Sequence, residues 1–278
     1  MTDIWLVYER VNVARNAFFV ERWRDAARER GVGLRLVTRE ELQYGVRGSR
    51  AWLRHAEGAP LPQAAVMRLP DPLLAAQLEL LGVPCFNNSA VSRVLNDKRL
   101  THQAMCGVAP MMDSVFLRGD EEEPPFPYPV VVKGVSGCGG RQVRLANDAA
   151  QFRSAVEALR PDAALAQPLS DTPGRDVRAY VLGRDILRTM MRVSHGDFRS
   201  NIGQGGEGVP FELGTRERRL VLDIAGMFDF GLVGVDFIFH RGELLLNEIE
   251  DAVGTRMLYA AGYDPVPGYL GFILARLA

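Results

Sequence analysis

Short apolar runs alternate with helix-period segments through the first ninety positions, and this alternation restricts the stretch to one kind of sheet. Ile4-Trp5-Leu6-Val7-Tyr8 reads as a strand buried on both faces, and Ala14 to Arg30 as an amphipathic helix ended by Gly31. Gly33-Leu34-Arg35-Leu36-Val37 reads as the next strand. An Arg/Gly loop is expected around 45 to 60, then a strand at Ala64 to Leu69, a helix from Asp71 to Leu81 and a short strand at Val83 to Phe86. Strands that take turns with helices build a parallel α/β sheet, so residues 1–90 are expected to form a Rossmann-like unit.

The pattern then changes. Asn88 and Ser89 can cap a helix expected to reach about Cys106, with Asn96-Asp97-Lys98 near its middle. After a proline-rich acidic stretch, Gly119 to Pro129, the strand Val130-Val131-Val132-Lys133 meets a glycine-rich turn, Gly134 to Gly140. Gln142 to Ala146 answers it as the second arm of a hairpin. A helix from Asp148 to Leu159 and a strand from Ala163 to Gln167 complete a small α+β unit over 91–170. Residues 171–278 are expected to hold strands at Val177 to Leu182 and Ile186 to Val193, a glycine-rich loop from Gly196 to Gly208 and a helix from Thr215 to Phe228. Val233 to Ile238 and Glu243 to Glu250 follow as antiparallel neighbours.

Charge excludes some partners. A net charge of -1 gives no basic field to attract nucleic acid or an anionic membrane surface. No apolar run approaches a membrane span, and the amino terminus lacks a signal-peptide pattern, so a cytoplasmic protein is expected. Cys85, Cys106 and Cys138 fit reduced thiols better than a disulfide framework, and the four histidines are scattered. Of the 33 basic residues only Lys98 and Lys133 are lysines. In a chain so biased to arginine, the two that persist are candidates for sites that need a compact ammonium rather than a planar fork, chance survival being the alternative.

Two constellations carry chemistry. Lys133 ends a strand and is followed by Ser136-Gly137-Cys138-Gly139-Gly140, small residues that leave backbone N–H groups open to phosphate oxygens. Taken alone, a plain hairpin turn explains this loop equally well. Asp236 lies on one strand, and Glu248 and Glu250 lie two residues apart on its neighbour, hence on one face. Facing carboxylates on a buried sheet are costly unless a hard ion such as Mg²⁺ neutralises them. Gly203-Gln204-Gly205-Gly206-Glu207-Gly208 satisfies a dinucleotide fingerprint in letters only, because no strand leads into it and no helix opens on it. Neither lysine follows a glycine, which excludes a Walker A loop, and no G-x-S-x-G or H-E-x-x-H occurs.

The order Asn96-Asp97-Lys98, Pro129 to Lys133 with its glycine loop, Asp176-Val177-Arg178, Phe198-Arg199-Ser200-Asn201, Gly234-Val235-Asp236 and Asn247-Glu248-Ile249-Glu250 resembles the RimK-like branch of ATP-grasp ligases, from about Arg68 to Ala261. The resemblance implies an ATP-grasp fold behind the Rossmann-like unit, with ATP and Mg²⁺ between the last two units. It implies that Lys98 and Lys133 contact ATP phosphates, that Ser136, Gly137, Gly139 and Gly140 cover them, and that Gln167 lines the adenine pocket. Asp176 belongs to the same nucleotide set. Arg178, Arg199 and Asn201 would hold phosphate or the reacting carboxylate, and Asp236, Glu248 and Glu250 the metal. The implied reaction joins a carboxylate to an amine through an acyl phosphate and releases ADP and phosphate.

This sequence departs from that family's usual Glu-x-Asn and Ser-Ser-Pro-Gly, with Glu250 in place of the amide and Asp251-Ala252-Val253-Gly254 after it. Those positions lie where the family's acceptor would sit, so the small-molecule or peptide substrates do not carry over. Two other functions share the scaffold: a small-molecule kinase, told apart by a phosphorylated product, and a nucleotide-binding regulatory protein without turnover. Oligomeric state is open, a homo-oligomer included.

Overall fold

The computed structural model describes residues 2–136, 140–194, 196–199 and 207–278. The first sheet is parallel, in the order β2-β1-β5-β6, with β1 at Asp3–Tyr8, β2 at Gly33–Thr38, β5 at Ala64–Met67 and β6 at Cys85–Phe86. Helices α1 (Arg10–Val13) and α2 (Ala17–Glu29) connect β1 to β2, and α3 (Pro72–Leu80) follows β5. Ile4, Leu6 and Tyr8 point into a core with Phe19 and Trp23 of α2, while Trp5 and Val7 point the other way towards Leu74 and Leu78 of α3. Burial on both faces is why these strands read as continuous apolar runs. Asp71 Oδ1 accepts the Leu74 N–H at 2.9 Å, and Pro72 sits in the first turn of α3, as its start signal requires.

The stretch expected as a loop around 45 to 60 is instead largely a hairpin, β3 (Leu42–Arg47) with β4 (Arg50–His55). Its turn residues Gly48 and Ser49 both have positive φ, 52° and 65°, the geometry that matches strand twist in a two-residue connection. Arginines on either side of the turn hide the strand pattern from a hydropathy reading. The helix expected from Ala14 begins at Ala17, after a short turn of 3-10 helix.

The helix expected to run to Cys106 is two helices, α4 (Ser89–Leu95) and α5 (Lys98–Met105). Asn96 and Asp97 break it because their side chains compete with the helical backbone. Asn96 Nδ2 donates to the Ser92 carbonyl at 2.7 Å, and Asp97 caps the new helix by accepting the Arg99 N–H at 2.8 Å. Lys98 thereby becomes the first residue of α5, and its own N–H donates to the Val135 carbonyl at 3.1 Å.

A second, antiparallel sheet has the order β7-β10-β8-β9, from β7 (Val115–Leu117), β8 (Val130–Gly134), β9 (Val143–Ala146) and β10 (Ala164–Pro168). Helix α6 (Ala149–Glu157) covers it through Phe152, Ala155 and Val156. The expected hairpin across the glycine loop forms, with Lys133 opposite Val143.

The third sheet, also antiparallel, has the order β13-β12-β11-β14-β15. Its strands are β11 (Arg175–Leu182), β12 (Asp185–Val193), β13 (Glu207–Pro210), β14 (Leu232–His240) and β15 (Glu243–Glu250), with α7 (Thr215–Ala225) packed on one face. β13 occupies the end of the segment expected as a loop. Two helices follow, α8 (Arg256–Ala260) and α9 (Val266–Leu277). α9 returns to the first sheet, where Tyr269 meets Trp23 of α2 edge-on at 5.4 Å. Among the described residues no helix is long and apolar enough to cross a membrane.

Candidate functional site

Between the second and third sheets lies a cleft that encloses about 100 Å³ and opens to solvent. Strand periodicity builds its walls: Val131 and Lys133 lie two residues apart on β8, and Gln167 on β10 stands opposite Val131. Val131, Val143, Leu169 and Ile238 give it apolar surface. Lys98, Lys133, Gly140, Gln167, Asp176, Arg199 and Glu248 also line it, so seven residues singled out in the sequence converge here.

The two lysines arrive from different elements. Lys98, at the start of α5, is ion-paired to Glu248 Oε2 at 3.1 Å. Lys133 Nζ donates to Asn247 Oδ1 at 2.7 Å. Burial pushes the Lys133 ammonium down to about 8, with Glu248 resisting and Lys98 adding to the drop. An anion placed between the lysines would reverse that drop.

Behind Lys133 runs a buried polar chain that the sequence does not announce. Gln167 Nε2 donates to Ser114 Oγ at 2.8 Å, Ser114 Oγ lies 3.1 Å from His102 Nδ1, and His102 Nε2 lies 3.3 Å from the Asn247 carbonyl. Burial lowers the His102 pKa, favouring the neutral ring, and Lys133 and Lys98 act in the same direction. In the neutral ring, Nε2–H donates to Asn247 and Nδ1 accepts from Ser114. The chain joins the Gln167 side of the cleft to the residue that holds Lys133.

The carboxylates are brought together by an irregularity. β14 and β15 pair Phe237 with Leu246 but Asp236 with Glu248, leaving Asn247 as the extra residue of a β-bulge. In the unbroken register Glu248 would oppose Val235 and face away from Asp236. The bulge turns Glu248 and Glu250 to the Asp236 side, where one carboxylate oxygen from each of the three lies within 4.8 Å of the others.

Two arginines also neutralise Asp236, a role the sequence reading gives to a metal alone. Arg178 grips it with Nε and Nη2, each at 2.6 Å, and Arg192 Nη2 reaches Oδ2 at 2.6 Å. Arg178 also pairs with Glu250 at 2.7 Å, and Arg192 with Asp176 at 2.5 Å. Burial alone would push the Asp236 carboxyl up, and the two guanidiniums overcome it, holding the group below the usual carboxylate range. Arg192 stands opposite Asp176 on the neighbouring strand, a register that one sequence in isolation does not reveal. The all-oxygen donor set suits a hard divalent ion of the Mg²⁺ class.

Arg199 is held by Asp197, 2.6 Å from Nη2 to Oδ2, and donates from Nη1 to the Gly140 carbonyl at 3.1 Å. Ser136 is exposed just after β8 and is not part of the cleft lining. Gly137, Gly139 and Asn201 lie outside the described residues.

Comparison with known proteins matches residues 120–264 to the RimK-like ATP-grasp domain. The chain is 30% identical over 259 residues to a probable alpha-L-glutamate ligase of Stenotrophomonas maltophilia, covering 85% of this chain and 87% of that one. It is 26% identical over 255 residues to human N-acetylaspartylglutamate synthase A, covering 83% of this chain but 65% of the human protein. Among solved structures, the D-alanine--D-alanine ligase of Bacillus anthracis complexed with ATP superposes with a TM-score of 0.75 at 15% identity, covering 100% of this chain and 97% of that one. The fold is therefore ATP-grasp, a mixed α/β architecture.

Proposed function

The chain belongs to the RimK-like ATP-grasp family, and from that membership we propose that it is an ATP-dependent ligase that forms an amide bond between a carboxylate and an amine, releasing ADP and phosphate. The observation that carries the proposal is that Lys98, Lys133 and Glu248 line one cleft, and that Glu248 is gathered there with Asp236 and Glu250 behind it. We read the three sheets as units with bounds at 1–90, 91–170 and 171–278, α9 returning to pack on the first.

In this reading the adenine base lies against Val131, Val143 and Ile238 near Gln167, and the phosphates extend towards Lys98 and Lys133. Gly140 and Asp176 complete the nucleotide set on the cleft wall. Glu248, Glu250 and Asp236 would hold Mg²⁺, which neutralises phosphate charge and draws the terminal phosphoryl group into line when bound. Arg178 and Arg199 hold the reacting carboxylate and the transferring phosphoryl group. A carboxylate oxygen attacks the γ-phosphorus, expelling ADP and leaving an acyl phosphate. The amine then attacks the acyl carbon and expels phosphate. Two lysines, charge neutralisation and positioning suffice for both steps, and no side-chain nucleophile is required.

Glutamate is the first substrate to try, because it appears in the names of both relatives. The test is Mg²⁺-dependent ADP release across amino acids and small carboxylates, with hydroxylamine as surrogate amine and Lys133→Ala as control. Hydroxamate formed only by the intact protein supports the ligase. ADP with a phosphorylated product and no hydroxamate would make the protein a kinase, and nucleotide binding without turnover of any substrate would make it a regulator.

A further inference from the structure

Among the described residues three arginines are nine-tenths or more buried: Arg68, Arg178 and Arg192. Arg178 and Arg192 lie against carboxylates. Arg68 has no carboxylate within 4.0 Å among the described residues, and its charge reaches the buried Asp251 carboxyl only from beyond ion-pair distance, although a buried cation without a direct partner is costly. Its Nη2 donates to the neutral Val253 carbonyl at 2.6 Å, and its guanidinium carbon sits 4.9 Å from the centre of the Phe19 ring. Its Nε is buried with no hydrogen-bond partner.

Tyr8 stands beside it. The last paired residues of β1 and β5 are Val7 and Met67, so Tyr8 and Arg68 are the next pair along and share a face. The Tyr8 hydroxyl is likewise buried without a partner. Two adjacent orphaned groups in a chain that otherwise satisfies its buried arginines call for a ligand. Their position supplies a second argument. β2 flanks β1 on one side and β5 on the other, so the carboxyl ends of β1 and β5 form the point where strand order reverses. Ligands of open parallel sheets bind in the crevice at that point.

The spot also adjoins the carboxylate cluster. Val253, whose carbonyl caps Arg68, packs a methyl against Gly234, and Gly234 pairs with Glu250 across the sheet. One loop separates Arg68 from the Arg178–Glu250 pair.

We propose that Arg68, with Tyr8 beside it, recognises a non-reacting carboxylate on the amino acid that serves as the amine substrate; this rests on the ligase reading above. The carboxylate takes the guanidinium fork that the Val253 carbonyl now half fills, accepts from the orphaned Nε–H and from the Tyr8 hydroxyl, and gives the buried cation a directly bound counter-charge. Ionised acceptors hold such a fork more strongly than a carbonyl does. A substrate bound there presents its amine across the 251–254 loop from Glu250.

The test is equilibrium dialysis of radiolabelled L-glutamate and of its two mono-amides against the full chain loaded with Mg²⁺ and a non-hydrolysable ATP analogue. Glutamate should bind at least tenfold more tightly than one of the mono-amides. Arg68→Met should abolish that preference, and Arg68→Lys, which keeps the charge but not the fork, should retain part of it, with nucleotide affinity unchanged in both. Equal affinity for glutamate and both amides, no detectable glutamate binding, or a preference that survives Arg68→Met would overturn the proposal. If Arg68→Met does not fold, a full preference in Arg68→Lys overturns it instead. An Arg68-dependent preference without ADP release on any amine would leave the subsite standing and remove the ligase reading.

Discussion

The first and third sheets meet across the 251–254 loop and treat buried charge in opposite ways. On the third sheet Arg178 and Arg192 share Asp236, with Asp176 and Glu250 completing an alternating lattice. On the first sheet Arg68 has two carbonyls and an aromatic face against it, with the buried Asp251 carboxyl beyond ion-pair distance. A closed lattice stores its compensation in the protein and holds its side chains still. A cation with no carboxylate in direct contact leaves its closest site to something that arrives. The comparison separates a scaffold that fixes reacting groups from a pocket that selects what reacts.

The largest effect should come from breaking the lattice. Asp236→Ala leaves two buried guanidiniums facing each other, and loss of one partner of a buried ion pair costs about 3–5 kcal/mol. Urea unfolding should register that loss, whereas Arg68→Met, which removes an unpaired cation, should lie well below it. Equal losses would erase the contrast between the sheets.

A pH experiment probes the cleft between them. Lys133 titrates at about 8 in the folded chain, below its ordinary 10.5. It is charged below that value, so affinity for anionic nucleotide should be highest below pH 8 and fall by up to about tenfold per unit above it, about 1.4 kcal/mol. Stability of the nucleotide-free protein should move the other way, rising between pH 8 and 10.5, where the unfolded chain binds more protons. Lys133→Arg should flatten the affinity profile, as followed by nucleotide fluorescence.

Smaller effects test the polar chain and the altered ligand. His102→Phe removes the side-chain donor of the Asn247 carbonyl and one of the partners of Ser114, and should cost about 1–3 kcal/mol in thermal unfolding. It should also weaken nucleotide binding, because Asn247 holds Lys133. Glu250→Asn removes one carboxylate and one partner of Arg178. The Mg²⁺ concentration for half-maximal ADP release should rise about severalfold, since ligand charge sets much of the affinity of a hard-ion site.

How much of this the sequence discloses depends on how local the cause is. The buried strands of the first sheet, the helix that starts at Asp71, the cap at Asn88 and the hairpin around Lys133 follow from neighbouring residues and are legible. The break at Asn96-Asp97 was encoded in side chains that compete with the backbone, but helix periodicity masked it. The 42–55 hairpin was hidden by its arginines. The acidic trio was legible as residue types, yet its assembly depends on a bulge at Asn247, and nothing in a strand's alternation marks where an extra residue will fall. Arg192, His102 and Ser114 escaped notice because their partners are distant in sequence, and a buried arginine cannot be told from an exposed one by its letter.

The most direct test of the central claim follows oxygen. With the acid identified by hydroxamate formation labelled in both carboxylate oxygens with ¹⁸O, turnover with the amine substrate should place one ¹⁸O atom in the released inorganic phosphate and leave the other in the amide. Unlabelled phosphate, or release of AMP in place of ADP, would contradict transfer of the γ-phosphoryl group to the carboxylate and with it the ligase assigned here.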